Sequence, residues 1–474
     1  MMASEKLTVS GRSPQGSPSS AVFDLPTQAE SQSRQIQSLK PRLSLPPTEL
    51  SNSGPSYVIL SGGTGCNAIC SAFGQACYVL PVSDDGGSSS EIIRVIGGPS
   101  IGDIRSRLVR LIPPADPGSP LDALRALLAY RLPTKASEEE ARDEWRSIVE
   151  GRSPLWEGVP HDRKEAIRGF LVYFENEVLR RAHKSFSFRN GSIGNYFLAA
   201  AQGFFRSLPS AIFLFASITN SQANIVPVIV TNHTVTIAAD LDDNTRLVGQ
   251  CEISHPVLRT GPPKPVELDP TMDAYETGIT TTAANVGFTS DSKDDFVPLE
   301  APIHRLLYIN AYGHEIYPSP NPDYLSSLSS NEVLVYSCGS LWTSIMPCLT
   351  LKGVGPAIAR SHSLRAKVLF LNSQNDRETM DYTAVDYIQA IVNALSARYQ
   401  SEPFGLGYAN TSYPVSAFIT HLVHLRGSTV DVNVAAIAKM GVRCLEVESE
   451  CFGKDGIPLY DAACAARAMK KVLA

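Results

Sequence analysis

The sequence predicts an α/β fold built on one mainly parallel sheet, carrying a helical insertion and a β-hairpin excursion. Three observations predict it. Runs such as "YVIL", "EVLVYSC" and "AKVLFLNS" have the length and unbroken apolarity of strands buried on both faces. The first is followed by a Gly-rich turn, a segment with helical spacing and a second strand, the order of a βαβ unit. Such strands also occur toward both ends of the chain, so one sheet must gather them around whatever lies between.

Taken in order, residues 1–54 are rich in Ser, Gln and Pro and lack apolar periodicity; they read as a disordered Ser/Pro-rich tail. Residues 55–474 read as a single domain. "YVIL" is its first strand, "GGTG" a turn, "CNAICSAFGQ" a helix burying Ala68, Ile69, Ala72 and Phe73, and "ACYVLPVS" a second strand. From about 113 to 188 the texture changes. "LDALRALLAYRL", "SEEEARDEWRSIVEG" and "DRKEAIRGFLVYFENEVLRRAHKS" are the amphipathic helices of an insertion. "GNYFLAAAQGFFRSL" is a further helix, packed inside. "VPVIVTNHTVTIAADLDDNTRLVGQCEIS" alternates like a β-hairpin with "LDDNT" at its turn. Residues from about 259 to 300 read as a loop insertion.

The sheet then resumes. "EVLVYSC" is a strand, "GSLWTSI" a turn into a helix, and "AKVLFLNS" a strand. In "YTAVDYIQAIVNALSARY", Val385, Ile388, Val392 and Leu395 share one helix face. "AFITHLVHL" and "VRCLEVES" are late strands.

Composition narrows the function. The 474 residues are 43% hydrophobic, enough for a large core, and the net charge is −6. A general nucleic-acid binder needs a basic face to displace phosphate counterions, so DNA and RNA are not expected partners. No apolar run approaches the roughly 18 residues of a membrane span, and no apolar segment behind Met1 resembles a secretory signal. The nine cysteines are an odd number without paired spacing, which suits reduced thiols and a cytoplasmic protein. Cys66, Cys70 and Cys77 lack the CxxC spacing of a zinc site and read as small buried hydrophobes. Homo-oligomerisation stays open.

Chemistry is expected where strands end. Open α/β sheets bind ligands outside the carboxyl ends of their strands. In "SGGTGCNA", Gly63, Gly65 and Ala68 fit G-x-G-x-x-A, where small residues let a backbone approach phosphate at a helix N-terminus. In "VSDDGGSSSEIIR", Asp84 and Asp85 precede Gly86, Gly87 and Ser88. The loop N–H groups and hydroxyls suit phosphate oxygens. The acids suit a divalent cation, Mg2+ first, a substrate hydroxyl or a ribose. The bland alternative is an acid pair capping the next helix. In "GGPSIGDIRSRLVRLI", Asp103 opens a helix whose first turns hold Arg105 and Arg107. Arginine opposes the dipole there, so an anion or a carboxylate is expected beside it, unless this is a solvated face. "SCGSLWTSI" offers Gly339, Ser340, Thr343 and Ser344 as a second anion cradle, and "NGSIGN" leads into a helix through Asn195.

These stretches, "GGTG", "SDDGGSSS", "GDIRSRL", "IGNYFLAA", "CGSLWTSIMPCL" and "YTAVDYIQAIV", recur in the order of the motifs of the CofD/YvcK family. The chain resembles that family from about Tyr57 to Val447, and resembles the YvcK (gluconeogenesis factor) branch more than the 2-phospho-L-lactate transferases. The resemblance implies a Rossmann-like core and a bound nucleoside diphosphate conjugate, a UDP-sugar or a GDP-linked donor. It implies that Gly62, Gly63, Thr64 and Gly65 hold phosphate. Asp84 and Asp85 would then stand at the reactive or metal-binding end, with Asn195 and the Gly339–Ser344 loop lining the ligand.

The implied activity is transfer of a phosphorylated three-carbon unit to an acceptor hydroxyl; the alternative is UDP-sugar binding without turnover. A third reading, an NAD-dependent oxidoreductase, rests on G-x-G-x-x-A alone. The chain departs from the family pattern in four places. Asn190 and Gly191 precede Ser192 where His is common, Cys338 replaces a proline, Arg377 replaces a glycine, and the helical insertion is longer. These departures bear on substrate identity.

Overall fold

The computed structural model describes residues 54–63, 65–255, 297–310, 312–397 and 413–474. The tail, Thr64 and most of the 259–300 insertion lie outside the described residues. The chain runs through β1 (Tyr57–Leu60), β2 (Cys77–Leu80), α1 (Gly87–Val95) and α2 (Gly102–Arg110). Next come α3 (Pro120–Ala129), α4 (Glu138–Val149), α5 (His161–Arg180), α6 (Ile193–Phe205), α7 (Leu208–Ile218) and β3 (Asn224–Pro227). Then follow β4 (Thr236–Leu241), β5 (Arg246–Val248), α8 (Gln250–Ser254), β6 (Ile303–Ile309), β7 (Glu315–Ile316) and α9 (Pro322–Ser330). After β8 (Val333–Tyr336) come α10 (Met346–Leu349), α11 (Val354–Ala359), β9 (Ala366–Phe370) and α12 (Ala384–Leu395). The chain ends with β10 (His421–Leu425), α13 (Val434–Lys439), β11 (Arg443–Val447), β12 (Cys451–Phe452), β13 (Pro458–Leu459) and α14 (Ala462–Leu473).

Seven strands form one parallel sheet in the order β11–β10–β9–β8–β1–β2–β3. The fold is α/β and Rossmann-like. Strand order proceeds one way from β1 through β2 to β3 and the other way from β1 through β8, with β1 pairing to both neighbours. The reversal between β1 and β8 is the topological switch point, where a crevice opens at the strands' carboxyl ends. The loops after β1 and β8, which hold "GGTG" and "GSLWTS", flank that point. Val58, Ile59 and Leu60 are fully buried, as are Val333 to Tyr336, which is why these strands carry no polar alternation.

The helical insertion holds α3, α4 and α5. Ser137 and Glu140 form a reciprocal capping box that starts α4. Trp145 from α4, Phe174 from α5, Phe186, Phe188 and Tyr196 from α6 pack as one aromatic cluster with ring centroids 4.4–6.0 Å apart. α6 is buried along its first nine residues, Ile193 to Ala201, so it packs inside as expected.

Some elements differ from the sequence reading. "CNAICSAFGQ" is not an α-helix but two 3-10 turns, Gly65–Ala68 and Cys70–Phe73. The Asn67 carbonyl, which an α-helix would offer to residue 71, accepts from Arg110 Nε at 3.1 Å and from Cys70 Sγ instead. "GSLWTSI" enters a π-helix, Leu341–Ile345, before α10. Pro347 has no N–H to return to Thr343, so the α-helical ladder cannot close there. The hairpin turn does fall at "LDDNT", between β4 and β5. The leading "VPVIV" belongs elsewhere: β3 pairs in parallel with β2, and Val228 N–H continues the ladder to Leu80 O at 2.8 Å. β6 and β7, which complete the small antiparallel sheet β5–β4–β6–β7, and α7 and α14 have no counterpart in the sequence reading.

Candidate functional site

The switch-point loops touch. A Cβ on Gly62 would stand 2.9 Å from the Cα and Cβ of Ser344, and one on Gly65 would stand 2.6 Å from the Cys338 carbonyl. Glycine is therefore required at both positions because two backbones meet there. Gly63 sits at φ +58°, in the left-handed region. Asn372, beyond β9, clasps Gly339 from the other side: its Oδ1 accepts the Gly339 N–H at 3.0 Å and its amide donates to the Gly339 carbonyl at 2.8 Å.

The N–H groups of these loops already hold anions of the protein itself. The Gly63 N–H faces the Asp103 carboxylate and steadies its charged form. The Trp342 and Thr343 N–H groups donate to Glu378 Oε2, each at 3.0 Å, and the hydroxyls of Thr343 and Ser254 donate to its Oε1 at 2.5 and 2.6 Å. Glu378 is buried; burial first and the neighbouring Asp376 second push it up to about 7. Ser340 accepts the Ser344 N–H through its carbonyl at 3.1 Å. The Gly-rich and "GSLWTS" loops thus hold carboxylates where phosphate was expected from sequence.

The acid pair splits. Asp84 Oδ1 accepts Gly86 N–H and the Gln250 amide, each at 3.1 Å, while its Oδ2 lies so close to Gly102 that a Cβ there would stand 2.7 Å away. Asp85 turns to α8, accepting Cys251 N–H at 2.8 Å, with its other oxygen against Gly249. Gly86 stands at the N-cap of α1 without a side-chain cap, and Gly87, its first residue, has φ +53°. Asp84 is raised by burial and then by Asp103, more than by Asp85; Asp103 is raised by its burial. The acids that act on each other most strongly are therefore Asp84 and Asp103, brought together by the packing of α2 on the loop after β2.

A cation fits this arrangement. Asp103 Oδ2, Gln250 Oε1 and Ser83 Oγ are buried without a hydrogen-bond partner. Together with Asp84 they are all oxygen donors, as Mg2+ prefers, and two carboxylates plus phosphate oxygens and water are its usual set. Among the described residues no group of three or more His, Cys, Asp or Glu is arranged to hold a metal. A cation here would rest on Asp84, Asp103 and Gln250, neutralising charge that otherwise repels.

α2 and α6 complete the floor. Arg105 Nε donates to Asn195 Oδ1 at 3.0 Å, and the Asn195 amide donates to Ser88 Oγ at 2.8 Å. Arg107 is fully buried. It donates to Ser61 Oγ at 2.7 Å and stacks its guanidinium 5.0 Å from the Tyr78 ring centroid. A separate cleft of about 360 Å³, lined by Cys77, Pro209, Asn224 and Asp323, opens at the starts of β2 and β3 and holds none of the sequence-predicted residues.

The structure therefore gathers Gly62, Gly63, Gly65, Asp84 to Ser88, Asp103, Arg105, Asn195 and the Gly339–Ser344 loop at one edge of one sheet. Sequence reading missed Glu378, Asn372, Gln250, Cys251 and Ser254. The "DRET" motif held the only signal for Glu378, and α8 carried none. Arg377, the departure beside it, donates to the carbonyls of Ile253 at 3.2 Å and Val297 at 2.6 Å, which bracket the undescribed segment 256–296.

Fold and site define a Rossmann-like protein with an acid-rich crevice at its switch point. The chain belongs to the family described as 2-phospho-L-lactate transferase CofD, whose pattern matches residues 57–449. An uncharacterized protein of Saccharomyces cerevisiae, YNL011C, is 33% identical over 437 residues, covering 83% of this chain and 95% of the relative. A gluconeogenesis factor of Halalkalibacterium halodurans is 22% identical over 342 residues, covering 71% of this chain and 73% of the relative. Among solved structures, protein BH3568 of Bacillus halodurans, a member of the UPF0052 family, superposes with a TM-score of 0.56 at 17% identity, covering 87% of this chain and 98% of its own. That likeness shows the fold. Among the described residues no helix is long and apolar enough to cross a membrane.

Proposed function

We propose that this protein binds a nucleoside diphosphate conjugate at the switch point and transfers from it a phosphorylated three-carbon unit to an acceptor hydroxyl. One observation carries the proposal: Asp84 and Asp103 converge with unpartnered oxygens beside the touching loops after β1 and β8. This is where an open α/β sheet takes a nucleotide. Such a pair is costly to keep charged unless a cation or a polarised substrate group joins it.

In the transfer, the acceptor oxygen forms a bond to the phosphorus bearing the three-carbon unit. The bond from that phosphorus to the bridging oxygen breaks, and a nucleoside monophosphate leaves with the electron pair. The acceptor proton passes to a carboxylate of the Asp84–Asp85 turn. Rate comes from positioning and charge stabilisation, since phosphoryl transfer asks little covalent chemistry of the protein. A bound divalent cation would offset charge on the phosphates.

The second reading is a UDP-sugar-binding regulator without turnover, resident in the cytoplasm. Relationship to a gluconeogenesis factor and the internal filling of two N–H cradles by Asp103 and Glu378 favour it. Native mass spectrometry of the purified full chain, followed by calorimetry with GDP, UDP-N-acetylglucosamine and NAD, tests both. Binding of either nucleotide conjugate supports the site; tight NAD binding alone replaces it with the oxidoreductase reading.

A further inference from the structure

Glu378 takes the Trp342 and Thr343 N–H groups of the loop after β8, and Asp103 stands against Gly63 in the loop after β1, so the phosphates of a conjugate need cationic partners elsewhere. We infer that Arg105 and Arg131, with Ser88 and the N-terminus of α1, form the diphosphate subsite. The inference rests on the nucleotide reading above and adds where the phosphates sit.

Arg105 is 9% exposed, yet no carboxylate pairs with it among the described residues. Its hydrogen bond goes to the neutral Asn195 through Nε alone, so the two terminal nitrogens of its fork are left for another acceptor. A buried guanidinium held by one neutral amide is costly unless an anion joins it. Its surroundings are built to keep it there. Gly194 in the "IGN" motif clears its path, since a Cβ would stand 3.0 Å from Arg105 Cγ and 3.1 Å from Cδ. Asn195 then fixes the orientation of the fork while tying it to Ser88.

Arg131 supplies a second charge at the mouth. It lies just beyond α3, is bridged across to Ser192, and is oriented by donation to the Asn190 carbonyl at 3.1 Å. It is solvent-exposed on its outer side, and its charge reaches both Arg105 and Asp84. The two guanidiniums stand within each other's field, and Asp84 is the acid that Arg131's charge reaches, which places the pair on the flank of the acidic loop. α1, nine residues long, adds the N–H groups of Gly87 and Ser88, since Gly86 caps it with no side chain and only the Ser89 N–H turns back to the Gly86 carbonyl. Ser88 Oγ accepts from Asn195 and so has its own proton to give.

Forked donors, a hydroxyl and a helix N-terminus are the donor set of a phosphate site, placed here on the flank of Asp84. A diphosphate seated there lies between the arginines and the acid pair. Sequence reading had Arg105 but not its partner, because Arg131 stands in the helical insertion with no motif around it.

The test uses the full chain with inorganic pyrophosphate as probe, by calorimetry at low salt, on the wild type and on Arg131→Gln, Arg105→Gln and Arg152→Gln. Arg152 pairs with Glu150 on an exposed surface and serves as the control. Pyrophosphate is expected to bind the wild type and the control equally. Arg131→Gln, an exposed change, should keep the wild-type melting temperature and weaken binding at least tenfold, with a shallower salt dependence. Arg105→Gln should weaken it further. Binding by Arg131→Gln equal to the wild type overturns the subsite. If GDP or UDP-N-acetylglucosamine also bound that variant unchanged, the nucleotide reading would stand with its phosphates placed elsewhere. Failure of all three probes to bind the wild type overturns both.

Discussion

The Glu378 carboxylate accepts the Thr343 hydroxyl at 2.5 Å and the Thr343 backbone N–H at 3.0 Å. Through Ser254 the same acid is tied to α8, whose Gln250 and Cys251 donate to Asp84 and Asp85. One buried side chain therefore links the loop after β8 to the acidic loop after β2. Glu378→Ala would strand the Trp342 and Thr343 N–H groups in a buried place and leave the Ser254 and Thr343 hydroxyls, 3.2 Å apart, with each other. A loss of about 2 to 4 kcal/mol is expected. Chemical denaturation of wild type and variant measures it; a loss below about 1 kcal/mol would mean that water replaces the carboxylate.

The same group gives the stability a pH dependence. Unfolded, Glu378 titrates near the ordinary glutamate value of about 4.3; folded, burial and Asp376 hold it up to about 7. Between those values the folded state binds more protons than the unfolded one. Stability therefore falls as pH rises through that window and is fully retained below it. Asp84, Asp85 and Asp103 are raised too and act in the same direction. Melting temperature should decline from about pH 5 to about pH 8, with a shallower decline in Glu378→Gln. A wild-type melting temperature that rises over this range contradicts the assignment.

The parallel sheet was legible because strands such as Val333–Tyr336 are buried on both faces and need no polar residue. The loops were legible because they follow those strands. What filled them was not. The Gln250–Asp84 bond spans 166 positions and the Glu378–Thr343 bond 35, and neither partner has a local pattern that announces it. β6 escaped for a different reason. Its burial runs buried, exposed, exposed and then four buried, which is neither a clean alternation nor a clean apolar run. α7 is apolar almost all round, with Phe213 exposed at 74%, so it offered no helical face to read.

Asp84→Asn is expected to stabilise the protein while impairing it. The amide removes the repulsion with Asp103 and Asp85 but can still accept Gly86 N–H through its oxygen. Because the folded-state acid is raised, the gain appears as pH climbs and vanishes in acid. At about pH 8 the variant should melt several degrees above the wild type, and at about pH 5 the two should coincide. Added Mg2+ should raise the wild-type melting temperature and leave the variant unmoved. A variant that melts lower at both pH values would make Asp84 a structural cap rather than a site group.

Gly102 and Gly249 separate the needs of the site from those of the backbone. Gly102 opens α2 with ordinary helical geometry, and a Cβ there would meet only side-chain atoms, Asp84 Oδ2 at 2.7 Å and Ser89 Oγ at 2.6 Å. Those atoms can move aside, and alanine gains up to about 1 kcal/mol over glycine in a helix. Gly102→Ala should thus change stability by less than about 1 kcal/mol yet displace Asp84 and weaken Mg2+ and pyrophosphate binding. Gly249 has φ +89°, and a Cβ there would also strike Asp85. Gly249→Ala should cost more than about 1 kcal/mol, because a left-handed residue gains strain together with the contact. Denaturation and calorimetry on the two variants read both effects. Equal stability losses would show that the acidic loop is held by the fold as rigidly as the backbone at Gly249, and the flexible-carboxylate account of Asp84 would fail.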